Sequence, residues 1–213
     1  MTTSEPRATE PAEVMDIWDV AAHEAGHAVV FALAGYQVTG VFAGEIDGEL
    51  VGSTATSGPD PLENFLIWDQ DAQEFEVNQK VLDAYKLVMP EAAIAEGFRC
   101  IRGHMAALVA GHMARHLLRD IDPFWAPSGD DGPDPYSDPN LLQGLALLLP
   151  ERPRAVCLAL LAAHEALVSP DVAEKLDALI SWLVGNNMAD GAGLAELLPE
   201  PIPGWPSVPA WAQ

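Results

Sequence analysis

Apolar positions at the start of the chain recur with a helical period. Val14, Ile17 or Trp18, Ala21, Ala25, Ala28 and Ala32 fall three or four residues apart, the spacing of one helix face. Pro11 suits a first helical turn, with Glu10 and Glu13 near its positive end, and Gly35 is a natural stop. The pattern therefore predicts a long first helix, preceded by a polar and loose segment over 1–9. The period then changes. Tyr36 to Phe42 reads as strand, and Asp47-Gly48 between Ile46 and Glu49 is a hairpin turn. A two- or three-stranded ribbon is expected there. Residues 57–76 carry Pro59, Pro61 and six acids without a base, which reads as a solvated loop and helix face. Helical spacing returns over 78–88, 91–98 and 104–118. A Pro/Gly/Asp-rich loop follows to Asn140, and then four more helical pieces: 141–149, 153–168, one led by Ser169-Pro170 and ending at Gly185, and 190–198. The Pro-rich 199–213 is not helical; Trp205 and Trp211 are its candidates for docking on the body. The fold class expected is mainly α with a small β-ribbon, as one domain over 10–198 with a Pro/Trp-rich tail.

Chemistry enters in the second half of the first helix. Ala22-His23-Glu24-Ala25-Gly26-His27-Ala28-Val29-Val30 contains His-Glu-x-x-His, the arrangement found in zinc peptidases. Residues four apart share a helix face, so His23 and His27 can offer imidazole nitrogens to one metal. Glu24 then flanks that metal, placed to take a proton from a bound water. The row Val20, His23, His27, Val30, Phe31, Ala34 is apolar apart from the histidines, so the imidazoles face a packed interior. Buried imidazoles need partners, and a zinc ion supplies one.

Charge narrows the partners. The 213 residues hold 10 Lys+Arg against 32 Asp+Glu, a formal net charge of −22. Nucleic acid and anionic membrane surfaces both recruit cationic patches, so neither is expected as a partner; a peptide or protein substrate is. No apolar run approaches the roughly 18–20 residues of a membrane span, and the N-terminus carries no signal-peptide pattern. Cys100 and Cys157 sit in apolar helical stretches and read as buried thiols of a reducing compartment. A cytoplasmic location is expected.

Two histidines leave a catalytic zinc one protein ligand short. Val30 and Leu33 stand where the extended metzincin pattern needs Gly and His, which excludes that subclass. Glu91 or Glu96 on a downstream helix, or an Asp opening a later one, are the alternatives. His112 and His116 are also four apart, but no Glu follows His112 and Arg115 lies between them, so they read as ordinary helix histidines. His104 and His164 are lone and read as structural.

The stretch His23-Glu24-Ala25-Gly26-His27-Ala28-Val29-Val30 resembles the peptidase domain of the FtsH-type membrane AAA proteases and their small stand-alone relatives. Leu50-Val51-Gly52-Ser53-Thr54 is similar to that family's Leu-Gly-x-Thr-like turn. Met89-Pro90-Glu91-Ala92-Ala93-Ile94 looks like a degraded copy of its Ala-Gly-x-Ala-Ala-Glu helix start, with Ile94 in place of the Glu unless Glu96 replaces it. Met188 to Leu198 looks like its last helix. The resemblance implies a helical zincin fold, Zn2+ as cofactor, Glu24 as base, and a third ligand from an Asp that opens a later helix. Ser137-Asp138 fits that place, with Asp130, Asp131 and Asp134 as rivals in the same loop. Two departures stand out: the gap from His27 to Asp138 is long, and the chain carries no ATPase module or membrane anchor. The expected activity is therefore ATP-independent peptide-bond hydrolysis, by a general peptidase or one that cleaves a single dedicated partner. The rival expectation is a non-catalytic interaction module that keeps the scaffold with a structural or lost zinc.

Overall fold

The computed structural model describes residues 15–58, 65–121, 134–135 and 137–209. It is mainly helical with a small antiparallel sheet. The first helix, α1, spans Ile17–Leu33 and begins later than the apolar spacing predicts. Asp16 is its cap: its carboxylate accepts from the Asp19 N–H at 3.0 Å, and the Asp19 carboxylate accepts from the Asp16 N–H at 3.0 Å. This reciprocal pair satisfies two otherwise orphaned donors and fixes the start there rather than near Pro11. Asp19 is 1% exposed and also pairs with Arg119. The helix stops at Ala34, and Gly35 turns the chain with φ +86°.

Strands β1 (Gln37–Ile46) and β2 (Glu49–Ser57) form the expected hairpin. Asp47 and Gly48 both adopt left-handed φ, 55° and 86°, the conformation a two-residue turn demands between right-twisting strands. The Leu50–Thr54 segment lies inside β2, so it is strand and not the turn expected of it. A late strand, β5 (Met188–Asp190), pairs with the other side of β1, giving the order β2-β1-β5. β2 is thus an edge.

The acidic segment read as loop and helix face contains a second hairpin, β3 (Leu66–Asp69) and β4 (Glu74–Val77). Glu74-Phe75-Glu76-Val77 alternates with a period of two, which is strand patterning; the acids point outward and Phe75 meets Trp68 edge to face at 5.0 Å. Asp69 fixes the turn by accepting from the N–H groups of Asp71 and Ala72. Part of that segment, 59–64, lies outside the described residues, as do the expectations for 1–9 and Trp211.

Helix α2 (Gln79–Val88) follows. Next, α3 (Glu91–Leu118) is one unbroken helix where the pattern predicts two. Its midpoint Gly103 is retained for packing: a Cβ there would stand 2.7 Å from the Ala34 Cβ. Helix α4 (Asp138–Ala146), a short 3-10 turn (Arg152–Arg154), α5 (Ala155–Leu167), α6 (Pro170–Asn186) and α7 (Gly191–Leu197) complete the helices. The tail docks through Ile202 N–H on the Leu33 carbonyl (3.0 Å), and Arg99 donates to the carbonyls of both Ala34 (3.1 Å) and Trp205 (2.6 Å). Cys100 is partly buried, but Cys157 is exposed, contrary to the reading of both as core thiols; both are free. Among the described residues no single helix is long and apolar enough to cross a membrane.

The core is centred on α1 against α3. Ala21, Ala22, Ala25 and Ala28 of α1 meet Ala106, Ala107 and Ala110 of α3, all fully buried. Small residues bring the two backbones close. At Gly26 a Cβ would stand 2.5 Å from the Ala110 carbonyl oxygen and 2.7 Å from the Ala114 Cβ. The glycine inside His-Glu-Ala-Gly-His is therefore a packing residue.

Candidate metal centre

That close approach sets the first two ligand atoms. His27 is 6% exposed, and its Nδ1 lies 2.7 Å from the Ala107 carbonyl oxygen. A carbonyl only accepts, so Nδ1 carries the proton and Nε2 presents its lone pair in the neutral ring. This carbonyl-anchored imidazole is the usual outer-shell support of a metal-bound histidine. One turn further along α3, Gly111 makes room for the ring: a Cβ there would stand 2.5 Å from His27 Cε1. His23, one turn earlier on α1, directs its Nε2 to within 2.9 Å of the His27 Nε2.

The third atom arrives from α4. Asp138 is the first residue of that helix. Its Oδ2 lies 3.1 Å from His27 Nε2 and 3.4 Å from His23 Nε2. Three ligand atoms thus form a triangle with edges of 2.9, 3.1 and 3.4 Å. Tetrahedral zinc bonds of about 2.0–2.1 Å put neighbouring ligand atoms roughly 3.3–3.4 Å apart, so the donor set fits zinc in chemistry and in spacing. Without a metal these atoms can share protons across the same short distances; a divalent cation would take their lone pairs directly. Burial opposes charge on His27, but the Asp138 and Glu24 carboxylates and the Ala107 carbonyl together outweigh it, and the imidazole pKa is raised. Burial likewise pushes the Asp138 carboxyl up, yet hydrogen bonds from His23 and His27 hold it far below the usual carboxylate range.

Glu24 stands beside this triangle, 7% exposed. Strand β2 lies against it: Thr54 Oγ1 is 2.8 Å from Glu24 Oε2 and 3.0 Å from the Glu24 carbonyl oxygen. A Cβ on Gly52 would stand 2.5 Å from Glu24 Oε1. Together these groups open onto a cleft of about 380 Å³ whose other walls include Phe31, Thr56, His104, Leu108 and Leu141.

The site therefore unites His23, Glu24, His27 and Asp138. The rival third ligands do not join it. Glu96 is bound to Arg99 at 2.8 and 2.6 Å, and that hydrogen-bonded pairing lowers its pKa. Glu91 is exposed on the first turn of α3, and Asp134 is exposed ahead of α4. Asp130 and Asp131 lie outside the described residues. Among the described residues, no other group of three metal-ligating side chains converges. His112 and His116 pack ring on ring at 4.3 Å. His104, expected to be structural only, meets Phe31 and Tyr36 edge to face at 5.2 and 5.8 Å and also lines the cleft. Sequence reasoning missed Gly52, Thr54, Ala107 and Gly111 as parts of the site. Only Gly52 and Thr54 left a signal, in the Leu-Val-Gly-Ser-Thr segment.

No protein-family model matches the chain, and no curated protein matches it.

Proposed function

We propose that the protein is a zinc-dependent peptidase of the helical, FtsH-peptidase-like kind. The observation that carries the reading is the convergence of His23 Nε2, His27 Nε2 and Asp138 Oδ2 beside the Glu24 carboxylate. His23, His27 and Asp138 would hold zinc, which supplies Lewis acidity and a water acidic enough to attack near neutral pH. Glu24 would act as the base of this site and return the proton to the leaving amine, with Thr54 engaging one of its two carboxylate oxygens. The chain delivers the scissile bond through β2. This edge strand has an unpaired side among the described residues and contributes Gly52, Ser53, Thr54 and Thr56 to the cleft, so an extended peptide can add to it by main-chain hydrogen bonds.

Three protein ligands, with a cleft at the fourth place, support catalysis over a closed structural site. The acidic composition favours peptide segments with basic residues over nucleic acid or anionic lipid. Glu24→Gln is the direct test. The variant should retain stoichiometric zinc by elemental analysis and lose cleavage of an unfolded protein substrate; undiminished turnover would refute the role of Glu24.

A further inference from the structure

The Glu24 side chain is contacted from β2 at two points, by the Thr54 hydroxyl and by the backbone at Gly52. We propose that Gly52 and Thr54 are positioning residues that hold the Glu24 carboxylate in one orientation in the cleft it shares with His23, His27 and Asp138, so that the strand offered to substrate also sets the base. This inference rests on the reading of the site as a metal-dependent peptidase.

Three observations carry it. First, Thr54 Oγ1 stands 2.8 Å from Oε2 and 3.0 Å from the Glu24 carbonyl oxygen. A hydroxyl has one proton to donate, and an ionised carboxylate is the stronger acceptor, so Thr54 engages one chosen oxygen of the pair. Second, Gly52 is needed for room and not for its backbone angles. Its φ is outside the left-handed region occupied by Gly35, Gly48, Gly191 and Gly204, yet a Cβ would stand 2.5 Å from both Oε1 and Cγ of Glu24 and 2.8 Å from Cδ. Any side chain at 52 would displace the carboxylate. Third, both residues line the cleft that holds the ligand atoms, so they act at the reacting centre and not at a remote brace. Holding a catalytic group near its productive geometry is worth large rate factors, because small misplacements are penalised steeply.

A merely structural tie between β2 and α1 would alter stability and leave chemistry alone. The test compares the full-length zinc-loaded wild type with Thr54→Val, Thr54→Ser and Gly52→Ala. Three quantities are read: zinc affinity, binding of acetohydroxamate, and kcat against KM on an unfolded protein substrate. Acetohydroxamate passes its hydroxyl proton to a nearby carboxylate when it chelates a metal, so it senses where Glu24 points without turnover. Zinc affinity should stay within about twofold in both Thr54 variants. Acetohydroxamate binding and kcat should each fall about tenfold or more in Thr54→Val and Gly52→Ala, with KM nearly constant, and Thr54→Ser should restore both. Equal hydroxamate binding by Thr54→Val and wild type overturns the positioning role even if the protein is a peptidase. A wild type that binds zinc and hydroxamate but cleaves nothing sinks the peptidase reading, while the hydroxamate series still decides the positioning role. A wild type that binds no zinc or no hydroxamate overturns the proposal outright.

Discussion

The two walls of the proposed metal centre are built differently. The histidine wall belongs to α1 and α3, the helix pair with the most extensive contact among the described residues. Gly26 and Gly111 admit no side chain, and the His27 ring is clamped between the Ala107 carbonyl and the Gly111 backbone. The carboxylate wall is α4, nine residues long. Its Asp138 side chain is 33% exposed against 8% for His27. Behind α4 stands the β3–β4 hairpin, where a Cβ on Gly144 would stand 2.6 Å from the Phe75 ring. A rigid pair of nitrogens meets a carboxylate on a lighter support. Preorganisation thus lies mainly with the helices, and Asp138, the proposed third ligand, is the part with freedom to adjust.

The most severe way to break this comparison is to remove a ligand from each wall. His27→Ala and Asp138→Ala should both lose stoichiometric zinc, each weakening affinity by about a hundredfold or more. They should differ in the metal-free state. His27→Ala strips the partner from the buried Ala107 carbonyl and leaves a cavity, costing about 2–3 kcal/mol; Asp138→Ala should cost less, because it removes a half-exposed group. Elemental analysis and urea unfolding of the apoproteins read the two effects. Equal apo stabilities would erase the asymmetry.

A subtler probe is one methyl group on each side. Gly111→Ala drives a Cβ into the His27 ring, which has no free direction to move. It should weaken zinc about tenfold to a hundredfold and destabilise by about 1–3 kcal/mol. Gly144→Ala meets the Phe75 ring, on a short two-stranded hairpin. Its cost should be about 1 kcal/mol with zinc affinity changed less than tenfold. Isothermal titration with zinc distinguishes them; a larger loss at 144 than at 111 would invert the assignment of rigidity.

The sequence announced the two walls unequally, for physical reasons. His23, Glu24 and His27 share a short helical register, so local spacing was enough to place them. Gly35 and Asp47-Gly48 were equally legible, because backbone angles available to few residues mark them. Asp138 has no local signature beyond a Ser-Asp-Pro start, and it reached the site through family resemblance, not through spacing. The start of α1 was misplaced because an Asp16–Asp19 capping pair is less conspicuous than Pro11. The β3–β4 hairpin was hidden by its acids: Glu74 and Glu76 look like a solvated face until Phe75 and Val77 are seen to alternate with them. The helical spacing reads as two pieces, 91–98 and 104–118, whereas α3 runs unbroken through Gly103, which packs against Ala34. Gly52 and Gly111 reveal their function only through what lies beside them.

The smallest predicted effect concerns acid, and it separates the walls by pH. His112, one residue beyond Gly111, has its Nε2 buried without a hydrogen-bond partner among the described residues. Burial, followed by the charges of His116, Arg115 and His23, pushes its pKa down to about 4, against about 6.5 for a free imidazole. The folded state therefore binds fewer protons than the unfolded state in that interval, so stability falls as pH drops from about 6.5 towards 4. Asp138, held below its ordinary range, contributes stability above its unfolded pKa of about 3.9 and loses it only at lower pH. His27 opposes the trend, since its raised pKa favours the folded state below 6.5. The informative quantity is therefore the difference between metal-free wild type and His112→Phe, not the slope of either alone. The urea midpoint of His112→Phe should decline less than that of wild type between pH 6.5 and 4, and the two curves should run parallel below that. Parallel curves throughout would remove His112 from the acid response and leave the helical wall as resistant to protons as the carboxylate wall.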